Sequence, residues 1–234
     1  MSNEIDIRID GAELKAEPGR TIMEVADDAD IYIPRLCRHP DLPPHGSCRV
    51  CTVKVNGKFM AACTTPVEPK MDVVTDDPEI KDLRSAAIEM LFVEGNHYCM
   101  FCEMSGKCEL QAVAYRLGML VPRYPFMFPR REVDASHPGV LLDRNRCIQC
   151  GRCVQTSRDH DHKHVFELVE RGLETRLSVD SDTNLAATDL SVADRSLGVC
   201  PVGAIIVKDT AFRIPIGQRP YDKAPIGSDI AGRE

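Results

Sequence analysis

Residues 46–63 read Gly-Ser-Cys-Arg-Val-Cys-Thr-Val-Lys-Val-Asn-Gly-Lys-Phe-Met-Ala-Ala-Cys. Asn56-Gly57 is the strongest short signal for a β-hairpin, because these residue types accept the positive φ angles of a type I′ turn. Val50 to Val55 and Lys58 to Cys63 therefore pair as strands. That pairing returns Cys63 toward Cys48 and Cys51, which a short knuckle already holds together. Soft thiolates gathered in this way are ligands for a soft or borderline metal centre.

Working outward from the hairpin, residues 4–10 alternate polar and aliphatic with period two and predict a first strand ending at Gly11. Leu14 to Ala16 return antiparallel. Thr21 and Glu24 form a capping box that opens a short helix, with Ile22, Val25 and Ala26 as its apolar positions. Met71 to Val74 add a strand. The pattern predicts a small mixed sheet crossed by one helix. Asp77-Pro78 then supplies an N-cap and a proline at the first helical position. Ile80, Leu83, Ala87 and Leu91 follow at helical spacing, and Gly95 is expected to close the helix at a left-handed cap. A shorter helix is predicted from Glu109 to Leu117, ending at Gly118. Pro122 to Arg131 contains too many prolines for regular structure and reads as an ordered linker whose aromatics pack on a neighbour. Val165 to Val169 and Thr175 to Val179 flank a turn at Arg171-Gly172, and Ala204 to Lys208 is a late strand. Ala211 to Glu234 shows little periodicity and is expected to be disordered or laid over a partner.

Eleven cysteines fall into three sets. Cys37, Cys48, Cys51 and Cys63 form the first, and their loop suits a compact dinuclear iron–sulfur cluster. The ten-residue gap after Cys37 departs from plant-ferredoxin spacing. An all-thiolate zinc site is the plainer alternative, and a Rieske site using Cys37-x-His39 lacks its second histidine. Cys99, Cys102 and Cys108 form the second set, one ligand short of a cubane, with His97 the nearest candidate for the fourth position. A neutral imidazole in place of a thiolate leaves such a cluster less negative, which raises its potential. Cys147, Cys150, Cys153 and Cys200 form the third, a C-x2-C-x2-C run closed by a distant Cys-Pro, like half of a bacterial ferredoxin. Zinc is again the alternative. His160, His162 and His164 lie in a highly charged run and read as a solvated loop.

The chain carries a formal charge of −7, contrary to the basic patch of a nucleic-acid binder. No apolar run approaches a membrane span, and Met1 to Asp10 lacks the features of a signal peptide, so a cytoplasmic location with reduced cysteines is expected. There is no G-x-G-x-x-G or Walker sequence, and no substrate site of its own is evident. Together these features read as a carrier of single electrons.

Several motifs resemble the N-terminal region of the 75-kDa-type subunit of respiratory complex I and the matching region of iron-only hydrogenases. They are Pro34-x-x-Cys37, Gly46-Ser47-Cys48-Arg49-Val50-Cys51, Cys102-x3-Gly106-Lys107-Cys108-Glu109-Leu110-Gln111, Arg146-Cys147-Ile148-x-Cys150-Gly151-Arg152-Cys153 and Cys200-Pro201-Val202-Gly203-Ala204. The likeness runs from Ile5 to about Lys208. A chain of this size, with Glu94-Gly95-Asn96-His97 ahead of the second set, is similar to the small diaphorase subunits of soluble NAD-reducing [NiFe] hydrogenases.

The resemblance implies an α+β protein. It has a β-grasp [2Fe–2S] domain at 1–77, a small helical [4Fe–4S] domain with one histidine and three cysteine ligands at 78–118, and an ordered linker at 119–139. A bacterial-ferredoxin-like [4Fe–4S] module at 140–210 and an extended tail at 211–234, lying on a partner, complete it. It implies one [2Fe–2S] and two [4Fe–4S] clusters, with FMN, NAD and the NiFe centre on partner subunits. Those partners are a flavin- and NAD-binding diaphorase large subunit and the small and large [NiFe] hydrogenase subunits. The same relay in an NAD-linked formate dehydrogenase or a complex I relative is the alternative, and a zinc-stabilised scaffold a more distant one. One departure stands out. In complex I the histidine stands four residues before the first cysteine, where this chain has Gly95. Either the loop is rebuilt so that His97 reaches iron, or another group is the fourth ligand.

Overall fold

A computed structural model describes residues 4–231. In the first module, β1 (Ile5–Ile9) and β2 (Ala12–Ala16) pair antiparallel, and α1 (Ile22–Asp28) follows. The capping box is complete, with the Thr21 hydroxyl accepting from Glu24 N and the Glu24 carboxylate accepting from Thr21 N. The opening stretch forms β3 (Thr52–Val55) and β4 (Lys58–Ala61) around Asn56 and Gly57, both at positive φ. With β5 (Asp72–Val74) the sheet runs β2-β1-β5-β3-β4. Its first and last strands, β1 and β5, pair in parallel, and every other pairing is antiparallel. Ile7, Ile9, Val53, Val55 and Val73 point from this sheet onto Ile22, Met23, Val25 and Ala26 of α1, all buried. Fully buried aliphatic side chains of this kind contribute about 1.5–3 kcal/mol each.

The helical module begins with α2 (Pro78–Val93), capped by the Asp77 carboxylate on Ile80 N. Two expectations need correcting here. The buried face runs through Ile80, Arg84, Ile88, Glu89 and Val93, and Leu83 is exposed, because α2 packs on both the first module and the linker. Glu89 is buried yet paired with Arg123 of that linker, at 2.8 Å. Nor does Gly95 form a left-handed cap: α2 closes at Glu94 in the right-handed region, and Gly95 has no positive φ. After a 3₁₀ turn at Cys99–Phe101 comes α3 (Glu109–Arg116), followed by Gly118 at φ +71° as expected. The linker is irregular but bonded in place, with Asn96 Nδ2 donating to Pro129 O and Asn145 Nδ2 to Arg131 O.

The third module contains β6 (Val133–Asp134), β7 (Val140–Asp143), α4 (Arg152–Asp159), β8 (Phe166–Val169), β9 (Arg176–Val179) and β10 (Ile205–Val207). The order β10-β7-β6 makes a small antiparallel sheet, and β8-β9 is a separate hairpin inserted between Cys153 and Cys200. The described tail, 211–231, has more structure than an extended segment. It contains α5 (Pro220–Lys223) and lies on the chain's own second module. Arg219 Nη1 donates to Ser105 O, Tyr221 N to Gly106 O and Arg116 Nη1 to Ile226 O. No helix among the described residues is long and apolar enough to cross a membrane.

Candidate metal centres

All eleven cysteines are free thiols, and each set is drawn together by a different part of the fold. Cys37, Cys51 and Cys63 are at most 2% exposed. The loop carrying Cys37 and Cys48 folds against the β3–β4 hairpin, and the thiols reach one another. Hydrogen bonds from Cys48 and Cys63 hold the Cys37 thiol far below its ordinary value, and one from Cys63 lowers Cys51. Thiols packed so closely ionise at the expense of their neighbours, and the resulting thiolates bind metal. The donor set and its compactness fit a dinuclear iron–sulfur cluster.

The second set lines a narrow, largely apolar pocket with His97, Phe92, Gln111 and Arg146. Cys108 stands at the N-cap of α3, whereas Cys99 and Cys102 flank the 3₁₀ turn. His97 Nε2 is buried and has no hydrogen-bond partner among the described residues. Burial pushes its pKa down to about 4, so the ring is neutral and its lone pair available. A Cβ on Gly95 would stand 2.5 Å from His97 Nε2 and 3.0 Å from Asn145 O. The imidazole thus folds back over Gly95 and fills the space that a side chain there would need. Glycine at position 95 makes room for this ring.

The third set lines a similar narrow pocket with Ile148, Leu168, Leu177 and Ile205. Desolvation raises its thiols, Cys147 to about 11 and Cys150 and Cys153 further. Loading a metal must therefore displace protons, and the binding free energy becomes folding free energy. Among the described residues no three donors converge on one ion position. Thiols arrayed on the walls of such cavities instead fit a multi-atom group.

The three sites share walls. Cys37, Cys48, Cys108, Cys147, Cys150 and Cys200 all belong to or pack on one apolar cluster around Leu36, Ile88, Leu110 and Val202. Cys48 and Cys147 line one surface cleft. On the other side of the third set, a Cβ at Gly203 would lie 3.1 Å from Cys102 Sγ, so that glycine allows the second and third sets to approach. The third set thus adjoins both of the others.

Three of the arginines near the sets carry roles that their motifs do not reveal. Arg152 is 2% exposed; it pairs with Glu109 through bonds of 2.7 and 2.8 Å and donates to Arg38 O, tying all three modules together. Arg146 lies 3.6 Å from Cys102 Sγ and pairs with Glu103 and Asp143. Arg84 donates through Nε to Thr52 O, beside Cys51. The available signals were an arginine adjoining a ligand cysteine in two cases and, for Arg84, a charge at helical spacing between Ile80 and Ile88. The histidines at 160, 162 and 164 form no metal group. Instead His160 Nε2 meets Asp41 O and His160 Nδ1 meets Arg195.

Cysteine-walled sites on a mixed ferredoxin-type sheet, a helical module and a second ferredoxin-like module define an iron–sulfur electron-transfer protein. The models that match are a 2Fe-2S iron-sulfur cluster binding domain at residues 2–78, an NADH-ubiquinone oxidoreductase-G iron-sulfur binding region at 84–123 and a 4Fe-4S single cluster domain at 140–207. The chain is 45% identical over 219 residues to the NAD-reducing hydrogenase HoxS subunit gamma of Cupriavidus necator, covering 93% of each chain. It is 33% identical to the mitochondrial NADH-ubiquinone oxidoreductase 78 kDa subunit of Candida albicans, of which it spans 30%. A solved chain from an NAD+-reducing [NiFe]-hydrogenase in the H2-reduced state superposes with a TM-score of 0.91 at 42% identity, covering 94% of each chain. The chain belongs to the family of NAD-reducing hydrogenase gamma subunits.

Proposed function

We infer that this chain is the iron–sulfur electron-transfer subunit of an NAD-reducing hydrogenase, relaying single electrons between a flavin- and NAD-binding diaphorase subunit and a [NiFe] hydrogenase module. The observation that carries this reading is the set of three cysteine-walled sites packed on one another. Iron–sulfur clusters, when bound, accept and release one electron at a time. Cys37, Cys48, Cys51 and Cys63 would hold a [2Fe–2S] cluster. His97, Cys99, Cys102 and Cys108 would hold one [4Fe–4S] cluster, and Cys147, Cys150, Cys153 and Cys200 another. The orphaned, neutral Nε2 of His97 supports its place in that set. We read the modules as 1–77, 78–118 and 140–210, joined by 119–139 and followed by the tail, and we place the complex in the cytoplasm.

The chain's own side chains supply placement, insulation and charge. Apolar walls exclude water from the second and third sites, and the arginines set the local field. The test is anaerobic purification of the tagged protein from its host with an assay of H2-dependent NAD+ reduction, which is expected to follow the tag. Cys150→Ser is expected to abolish that activity and leave the NADH:dye activity of the diaphorase partner intact. NADH:dye activity and iron without any response to H2 in the wild-type complex would refute the hydrogenase assignment and turn the search to formate or quinone.

A further inference from the structure

Arg84 lies on the buried face of α2, between Ile80 and Ile88, and is 4% exposed. Its Nε donates to Thr52 O at 3.0 Å, next to Cys51. Its Nη2 is fully buried and has no partner among the described residues. The contrast with the other two arginines is informative. Arg152 is neutralised by Glu109, and Arg146 by Glu103 and Asp143. Arg84 makes no ion pair among the described residues; Asp76 and, less strongly, Asp10 favour its charge only from a distance, and Asp10 is bonded to Thr75. A buried guanidinium without a counter-charge costs several kcal/mol, and burial indeed lowers its pKa. Arginine nonetheless remains protonated in proteins. The charges that favour its protonated form from a distance include Cys51, a member of the first set.

We propose that Arg84, reaching from the helical module into the first, is the counter-charge of the cluster held by Cys37, Cys48, Cys51 and Cys63, and that it raises the potential of that cluster. Four thiolates around iron and sulfide leave that site net negative. Taking up one electron adds one more negative charge, so a fixed positive charge nearby favours the reduced form. A unit charge in a site of this burial changes a one-electron equilibrium by about tenfold, or about 59 mV. Arg146 and Arg152, beside the other two sites, are by contrast paired with carboxylates. This rests on the reading of the first set as an iron–sulfur site, and the wild-type spectrum tests that reading separately: absence of a [2Fe–2S] signal would remove the foundation before any variant is made.

The experiment is an EPR-monitored redox titration of the intact purified complex with Arg84→Gln and Arg84→Lys. Gln keeps hydrogen-bond donors and loses the charge, and Lys keeps the charge and loses the planar fork. The expected result is a first-cluster midpoint lowered by about the equivalent of tenfold in Arg84→Gln, restored in Arg84→Lys, with the other two clusters unmoved. Loss of the first cluster in the Gln variant alone would also support the assignment, because charge is then what the site requires. An unchanged midpoint in Arg84→Gln with the cluster retained would overturn it. So would loss of the cluster in both variants, which would reduce Arg84 to its hydrogen bond with Thr52.

Discussion

Replacing Gly95 with alanine tests the geometry of the second site most directly. At an ordinary position with negative φ the change would stabilise the chain by about 0.4–1 kcal/mol, by restricting the unfolded state. Here the new methyl would stand 2.5 Å from His97 Nε2, 2.8 Å from Cδ2 and 3.0 Å from the backbone oxygen of Asn145. The oxygen cannot yield readily, because Asn96 N donates to it at 2.8 Å. The imidazole must move, and overpacking of this kind costs about 1–3 kcal/mol. The net effect is a destabilisation of the ring-in arrangement by about 1–2 kcal/mol, roughly five- to thirtyfold in population. Gly95→Ala should therefore weaken or alter the second cluster alone, read as a changed EPR signal and a partial loss of iron from the full complex. The double variant Gly95→His with His97→Ala restores the complex I spacing and should recover the signal. A Gly95→Ala complex with wild-type iron content and an unchanged second-cluster spectrum would refute the reasoning.

Three further outcomes follow from the structure. Glu109→Gln leaves the buried Arg152 guanidinium without its anion. The cost should be about 3 kcal/mol, the low end for a broken buried pair because the Glu109 side chain is 26% exposed. The loaded chain should then melt roughly 6–12 °C lower, and a shift near zero would show that Arg152 is held by Arg38 and Val199 instead. The Glu24 carboxyl is held below its ordinary value of 4.5 by the Thr21 N–H first, and then by Arg38. Because the folded value is depressed, this stabilisation is complete above the unfolded value and is lost as pH falls through the folded one. Acid denaturation of the first module should therefore steepen below about pH 4, and Glu24→Gln should flatten that limb. Thr21→Ala should cost about 1 kcal/mol, measured by chemical denaturation at neutral pH.

The sequence was most legible where the signals are local. The period-two alternation of β1, the Thr21–Glu24 box, the Asn56-Gly57 turn and the Asp77-Pro78 cap each depend on residues within one turn of chain, and each element forms where those residues place it. The cysteine partition was legible for the same reason, since short knuckles bring their own thiols together. The irregular stretches behaved differently. The β6–β7 pairing and α4 carry no strong period, and they exist because Val140, Leu142 and Cys153 pack on Phe166, Leu177 and Ile205 from distant parts of the chain. The face of α2 rotated away from its apolar spacing because Arg84 and Glu89 find their places, in the first module and on the linker, only once the modules are assembled.

Chemistry shows the same division. The donor types and the kind of group they suit follow from the residues themselves, because softness and short spacing are covalent properties of the chain. What the tertiary structure decided is arrangement. It folded His97 over Gly95, packed members of all three cysteine sets on one apolar cluster, and gave carboxylate ion-pair partners to Arg146 and Arg152 but not to Arg84. Those outcomes depend on burial and on contacts between residues far apart in sequence, and no local pattern encodes the field that such contacts create.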